Sequence, residues 1–216
     1  MRIAALLGGM AISLVSGGAF ASITVTNYSL PDGASFNSVT TNGYSYYTGP
    51  IVLETTAGDL TVYCADLEHL IYPDTTYTYD YGLLTRDGSG APISEVVSNQ
   101  IGQIAEIGTK ALAGGQDDMA AAAQAAIWGL EYATTPVFAN PTGPIEQDYV
   151  DLISRTYQNN GSYAVALIPS GWPGANATQE MVVGVPEPST WVMLLAGFAG
   201  LGVAGLRTRR TASAPA

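Results

Sequence analysis

Two side chains in this sequence can react with each other. Cys64, the only cysteine, lies in a Tyr-Cys-Ala-Asp segment at 63–66, and Gln124 lies in an Ala-Gln-Ala-Ala-Ile-Trp segment at 123–128. If the thiol adds to the glutamine carboxamide and ammonia leaves, an internal thioester forms. Such a bond is a stored electrophile, which a nucleophile on another molecule can open later.

The expected positions of the two side chains permit this reaction. By the two-residue period of a strand, Cys64 shares the apolar face of Val62, and on a predicted alanine-rich helix Gln124 shares a stripe with Ile127 and Trp128. Both should face the interior, where a thioester would be shielded from hydrolysis. Spacing alone leaves two simpler interpretations open: an inert buried thiol, and a glutamine bonded to backbone or solvent.

The periodicity of the chain changes twice between residues 22 and 184. β-branched and aromatic runs predict strands at 23–26, 44–47, 51–53, 60–64 and 77–81, and later at 163–168 and 180–185. Helical spacing covers 97–112 and 119–132, with Asp117 or Asp118 as the cap of the second helix, and a third helix should follow Pro144. We therefore predict one α+β domain, a β-sandwich or barrel with a helical insert at about 93–158.

The two motifs together resemble a known family. A Tyr-Cys-x-Asp strand element followed by Gln-x-Ala-Ile-Trp on a helix is similar to the thioester domains of Gram-positive surface adhesins. The resemblance implies a Cys64–Gln124 thioester, supported by Tyr63, Asp66 and Trp128. That family usually has Thr before the glutamine, whereas this chain has Ala123, so a hydroxyl contact at this position is missing.

The first residues read as an export signal. Arg2 precedes an apolar run, and Ala19-Phe20-Ala21 has the small-x-small pattern that signal peptidase cuts. We predict that residues 1–21 are a signal peptide; an uncleaved anchor helix is the competing interpretation, which the glycines of the run disfavour.

The last residues read as a sorting tail. A Pro-Glu-Pro linker at 185–189 is followed by an uncharged stretch at 190–206, predicted to cross the membrane, and by a basic cytoplasmic tail at 207–216. The order of these parts resembles the PEP-CTERM tail of Gram-negative bacteria, which implies recognition by an exosortase; a plain anchor helix is the alternative. The motif residues are Pro186, Glu187, Pro188, Arg207, Arg209 and Arg210.

Composition excludes several kinds of partner. The chain has 18 Asp and Glu against 7 Lys and Arg, and only Arg86, Lys110 and Arg155 lie between the two terminal segments, so we expect no nucleic-acid partner. One cysteine and one histidine cannot close a zinc site, and we predict no metal and no cofactor. A cysteine hydrolase would need His69 as its base, across a tight turn from Cys64, and we predict no enzyme activity.

Two functions remain. The first is an exported surface or biofilm-matrix protein whose thioester binds an amine- or hydroxyl-bearing target, protein or polysaccharide, in a single covalent event. The second is a passive envelope or matrix protein that binds polysaccharide without a covalent bond. The alternating tyrosines Tyr77, Tyr79 and Tyr81 could form an exposed stripe that stacks on sugars, or could pair across strands.

Overall fold

The computed structural model describes residues 22–31, 37–41, 44–139, 142–159, 163–170 and 178–184. Within these ranges the chain forms a closed six-stranded barrel, a separate three-stranded sheet and three helices. The predicted α+β class is therefore confirmed, and of the two predicted β architectures the structure has the barrel. The predicted signal peptide and the sorting tail lie outside the described residues, and no helix among those described could span a membrane.

The barrel is built from strands with alternating burial. Its order is β1-β4-β5-β9-β8-β6, and each neighbouring pair is antiparallel. Alternate side chains point inward and form an apolar core that includes Val25, Leu53, Val62 and Leu167, as the period of two requires. The strands are β1 Ser22–Ser29, β4 Ile51–Thr55, β5 Gly58–Cys64, β6 Tyr77–Leu83, β8 Val165–Pro169 and β9 Met181–Val183.

The three-stranded sheet was only partly foreseen. It has the order β3-β2-β7, with β2 at Asn37–Thr41, β3 at Tyr44–Thr48 and β7 at Val137–Phe138. Only β3 was predicted from sequence. β7 has just two residues, too short for any periodicity to mark it, and it exists through its pairing with β2.

Three helices lie between β6 and β8: α1 at Glu95–Ala113, α2 at Asp117–Glu131 and α3 at Pro144–Ser154. Ser94 caps α1 by accepting a hydrogen bond from the Val97 N–H. The predicted cap of α2 is wrong, because the cap position is Gln116, which forms no side-chain capping bond. Both predicted capping carboxylates instead lie in the first turn, where the helix dipole favours negative charge.

Helix α2 is the centre of the helical layer. Every residue from Ala120 to Trp128 is buried, and the helix packs on α1, α3, β3 and β5. Small alanine side chains allow this approach from all sides. At the crossing with α1, a Cβ on Gly108 would lie 2.6 Å from the Cβ of Ala123 and would collide with the Tyr63 hydroxyl. This close packing fixes the position of Gln124 beside Cys64, the last residue of β5.

Candidate functional site

The carboxamide of Gln124 is bonded to the backbone of Cys64 at both ends. The Cys64 N–H donates to Gln124 Oε1 at 2.8 Å, and Gln124 Nε2 donates to the Cys64 carbonyl at 2.7 Å. The glutamine is 1% exposed and the cysteine 4%. The structure therefore brings together the two residues that the sequence singled out, in a site that excludes bulk water.

The Gln124 side chain fills a gap in the pairing between β4 and β5. Cys64 is the last residue of β5, and β4 begins at Ile51 opposite Val62, two residues short of it. On the other side, β9 pairs with β5, and the Ala65 N–H continues that pairing by donating to the Glu180 carbonyl. The Gln124 side chain takes the place of the missing β4 residue, because buried backbone groups need partners.

The thiol itself is neutral and held in place. Cys64 Sγ donates to the Asp66 carbonyl at 2.9 Å, and the Asp66 N–H approaches the sulfur at 3.4 Å. Burial raises the pKa of the thiol well above its usual range, the Asp66 backbone and the Trp128 indole partly oppose this, and the charges of Glu131 and Asp66 add to it. A thiol in this state needs a group that removes its proton before it can attack a carbonyl carbon.

The supporting residues predicted around the pair surround it in different ways. The buried Asp66 carboxylate accepts hydrogen bonds from the Glu68 and His69 N–H groups and contacts His69 Nδ1 at 2.7 Å, and so fixes the loop after β5. Trp128 lies one turn after Gln124, with its ring centroid 5.5 Å from that of Tyr46. Tyr63 points away from the thiol side and packs in the helical core against α1.

The histidine that a cysteine hydrolase would need contacts the Asp66 carboxylate. His69 Nδ1 contacts Asp66 Oδ2 at 2.7 Å, so that ring nitrogen is turned to the carboxylate. No group of three or more potential ligands among the described side chains could hold a metal ion.

Of the two arrangements considered for the tyrosines of β6, the exposed stripe is wrong. Tyr79 is fully buried in the barrel core, with Tyr77 and Tyr81 packed beside it, because these alternate residues of β6 point inward. Tyr77 and Tyr79 do contact each other, with ring centroids 6.4 Å apart. These three rings therefore do not form a stacking platform for sugars.

Four buried acidic residues lie near the thiol, and three of them, Asp87, Glu131 and Glu180, were missed from sequence. Asp87 accepts hydrogen bonds from the N–H and hydroxyl of Ser89, and Asp66 is bonded as described. Burial, and then the charges of Asp66 and Asp87, raise the pKa of Glu180 to about 8. Glu131 is also buried, and its pKa is raised well above the usual value. No local pattern marks these residues, because they meet from four separate segments of the chain.

Glu180 should make the stability of the domain depend on pH. Its carboxyl has an ordinary pKa of 4.5 and a folded pKa of about 8, so its stabilising contribution is full below 4.5 and is lost as pH rises through about 8. The free energy of unfolding should therefore fall by about 2 kcal/mol or more from pH 5 to pH 9 in urea titrations. Glu180→Gln should flatten this slope, whereas Glu68→Gln, at an exposed residue, should not. Equal slopes in the parent and Glu180→Gln would contradict the assignment.

Comparison with known proteins gives one family match and one similar solved structure. Residues 184–210 match the PEP-CTERM protein-sorting motif, which confirms the predicted sorting tail and implies an exported, surface-targeted protein that an exosortase processes. The chain matches no curated protein sequence. Among solved structures, it is similar to the N-terminal thioester domain of a surface protein from Clostridium perfringens, with a TM-score of 0.47 and 11% identity over 76% of this chain and 98% of that chain.

Proposed function

We propose that this chain is an exported surface or matrix protein that carries an internal thioester between Cys64 and Gln124 and uses it once to bind a target covalently. The double hydrogen bond between the Gln124 carboxamide and the Cys64 backbone carries this proposal. It holds the carbonyl carbon of one partner beside the residue that bears the thiol, and both side chains are shielded from water.

The same hydrogen bonds suit the chemistry. As the sulfur attacks the Gln124 carbonyl carbon, negative charge develops on Oε1, and the Cys64 N–H already donates to that atom at 2.8 Å. The Cδ–S bond forms, the Cδ–N bond breaks, and ammonia leaves. When an amine of the target later attacks the same carbon, the new amide joins target to Gln124 and Cys64 is released as a thiol.

This reaction consumes the protein, so the chain is not a turnover enzyme. A lysine amine is the most reactive common nucleophile on a protein target, and a sugar hydroxyl is a slower one. The chain has one lysine of its own, Lys110, whose Nζ lies 2.6 Å from Glu106 Oε1 on the same helix. An ion-paired, protonated amine is a poor nucleophile, which limits self-reaction.

Intact mass spectrometry tests the proposal directly. The exported protein should be lighter than its coded mature chain by one ammonia and should resist thiol alkylation. Methylamine should then raise the mass by one methylamine relative to the thioester form and release an alkylatable thiol once the protein is unfolded. A chain of full coded mass that takes up no methylamine would leave Cys64 as an inert buried thiol.

A further inference from the structure

Two buried polar side chains beside the reactive pair have no hydrogen-bond partner among the described residues. One is the indole of Trp128, through its Nε1 atom. The other is the carboxyl of Glu131, through both of its oxygens. The two residues are 2% and 7% exposed. An unpaired buried polar group loses its hydrogen bonds to water without replacing them, so a sequence keeps two of them only at a cost to stability. Their position relative to the reacting atoms suggests that they have a role in the reaction.

Both groups lie on the stripe of α2 that carries Gln124. Trp128 follows Gln124 by four residues and Glu131 by seven, so the three side chains lie along one face, and each leans toward the helix start. The backbone of Gly88 closes the far side: it lies against the Glu131 carboxyl and opposes the rise in its pKa, and a Cβ on Gly88 would collide with Asp66 Oδ1. The Cys64 thiol donates to the Asp66 backbone carbonyl, and the charge of Glu131 acts on that thiol, so the Glu131 carboxyl and the sulfur lie in the same buried region.

We infer that Glu131 transfers the proton in the Cys64–Gln124 reaction, moving it between Sγ and the nitrogen on the Gln124 carbonyl carbon. This inference rests on the proposed thioester function. During formation, the C=O oxygen of the neutral carboxyl accepts the thiol proton as the S–C bond forms. Its O–H gives a proton to Nε2 as the C–N bond breaks, and ammonia leaves. Glu131 begins and ends this step as a neutral acid.

Glu131 exchanges protons in the same way when an amine opens the thioester. The amine nitrogen bonds to the Gln124 carbonyl carbon and loses one proton to Glu131, while the Glu131 O–H gives one proton to Sγ as the C–S bond breaks. The products are an amide and a neutral Cys64 thiol. No charge accumulates in a site where a thiolate would be strongly disfavoured by burial.

Three other side chains nearby, those of Asp66, Asp87 and Tyr132, are already engaged in hydrogen bonds. The Asp66 carboxylate binds the loop after β5 and His69. Asp87 holds Ser89 and the Ala91 N–H. The Tyr132 hydroxyl accepts the Leu67 N–H at 2.9 Å. Glu131 alone in this set has two unpaired oxygens, and it bears the neutral carboxyl that the exchange needs.

The charge state of Glu131 follows from its surroundings. Burial is the main cause of its raised pKa, and the carboxyls of Glu180, Asp66 and Asp87 raise it further. The other titratable groups that it influences are the Cys64 thiol and the Tyr132 hydroxyl. These causes all favour the neutral form of the carboxyl, which loses its proton at a higher pH than an exposed glutamate does.

The rate of methylamine uptake by the isolated exported protein tests the inference, followed by intact mass at several pH values. Glu131→Gln should be about 100-fold slower or more, Glu131→Asp should fall between it and the parent, and the matched buried-acid control Glu180→Gln should stay within about threefold of the parent. After correction for the unprotonated fraction of methylamine, the parent rate should fall at alkaline pH, and that of Glu131→Gln should not. A purely structural role would not produce this difference in pH profile.

Each outcome bears on the proton-transfer role. A Glu131→Gln protein that unfolds at the same urea midpoint as the parent but lacks the ammonia deficit supports the role in formation. If Glu131→Gln does not fold, the inference is tested by the other two results. A slower rate for Glu131→Asp and a parent rate that falls at alkaline pH support it, and the absence of both contradicts it. A Glu131→Gln protein with the full deficit and the parent rate overturns the inference and leaves the thioester in place. A parent protein that has neither the ammonia deficit nor methylamine uptake overturns both the thioester function and the role of Glu131.

Discussion

A complex between the exported protein and a lysine-rich polypeptide should survive boiling in sodium dodecyl sulfate. The expected bond is an amide between a lysine nitrogen and the Gln124 carbonyl carbon, and detergent does not break amides. Contacts through side-chain packing or electrostatics dissolve under these conditions. Gel electrophoresis after incubation should therefore show a shifted band, and mass spectrometry of the peptide containing Gln124 should identify the joined lysine.

Cys64→Ser is the matched control for this experiment. The hydroxyl can still donate to the Asp66 carbonyl, and the Gln124 carboxamide keeps both of its backbone partners. The fold should be retained, yet the shifted band should disappear because the weaker nucleophile does not form the activated bond. Cys64→Ala should also abolish the band, at a cost of about 1 kcal/mol for the lost side-chain volume.

Gln124→Ala should abolish the band too, but it is a harsher substitution. It leaves the buried N–H and C=O of Cys64 without partners, at a cost of about 2 kcal/mol or more. Its folding must therefore be checked by circular dichroism before the loss of capture is interpreted. If all three variants retain matrix binding and every complex dissolves in detergent, the protein binds its targets without a covalent bond.

Strand periodicity predicted most of the barrel, because each strand has one face toward an apolar core. The run at 77–81 was correctly predicted as a strand, but its tyrosines point inward and not outward. Alternation defines two faces of a strand without telling which is buried when both carry amphipathic residues. Tyrosine is such a residue, and only the packing of the other five strands decides the matter.

The candidate pair and Asp66 could be predicted from sequence, whereas the other acidic residues around the pair could not. Cys64 and Gln124 each lie in a local motif, and their residue types permit few reactions together. Glu131 sits three residues beyond Trp128, at the end of α2, where a carboxylate normally faces solvent. Its burial depends on Gly88 and Glu180, which reach it from distant loops and strands, and a single sequence contains no record of such contacts.

The pairing of Gln124 with the strand end also depends on tertiary structure. A glutamine in an alanine-rich helix has no preferred partner in the sequence, and its amide could equally bind water. Because β4 begins only at Ile51, opposite Val62, it leaves two backbone groups of Cys64 unpaired, and the close crossing of α1 and α2 brings the amide to them. A structural role and a reactive role therefore share one geometry, which is why mass measurement is needed to separate them.

Processing at the sorting tail should release the domain from the membrane in a form that lacks Arg209 and Arg210. The 17 residues from 190 to 206 would span about 25 Å as a helix, enough for a thin hydrocarbon core, with the arginines held at the cytoplasmic side. Replacing Pro186 and Pro188 together by alanine keeps this span and its charges but removes the motif, so an uncut, membrane-bound chain should accumulate. Ser213→Ala, beyond the arginines, should be processed like the parent. Fractionation followed by C-terminal peptide mapping distinguishes these forms, and recovery of the parent with Arg209 and Arg210 intact would identify the tail as a plain anchor.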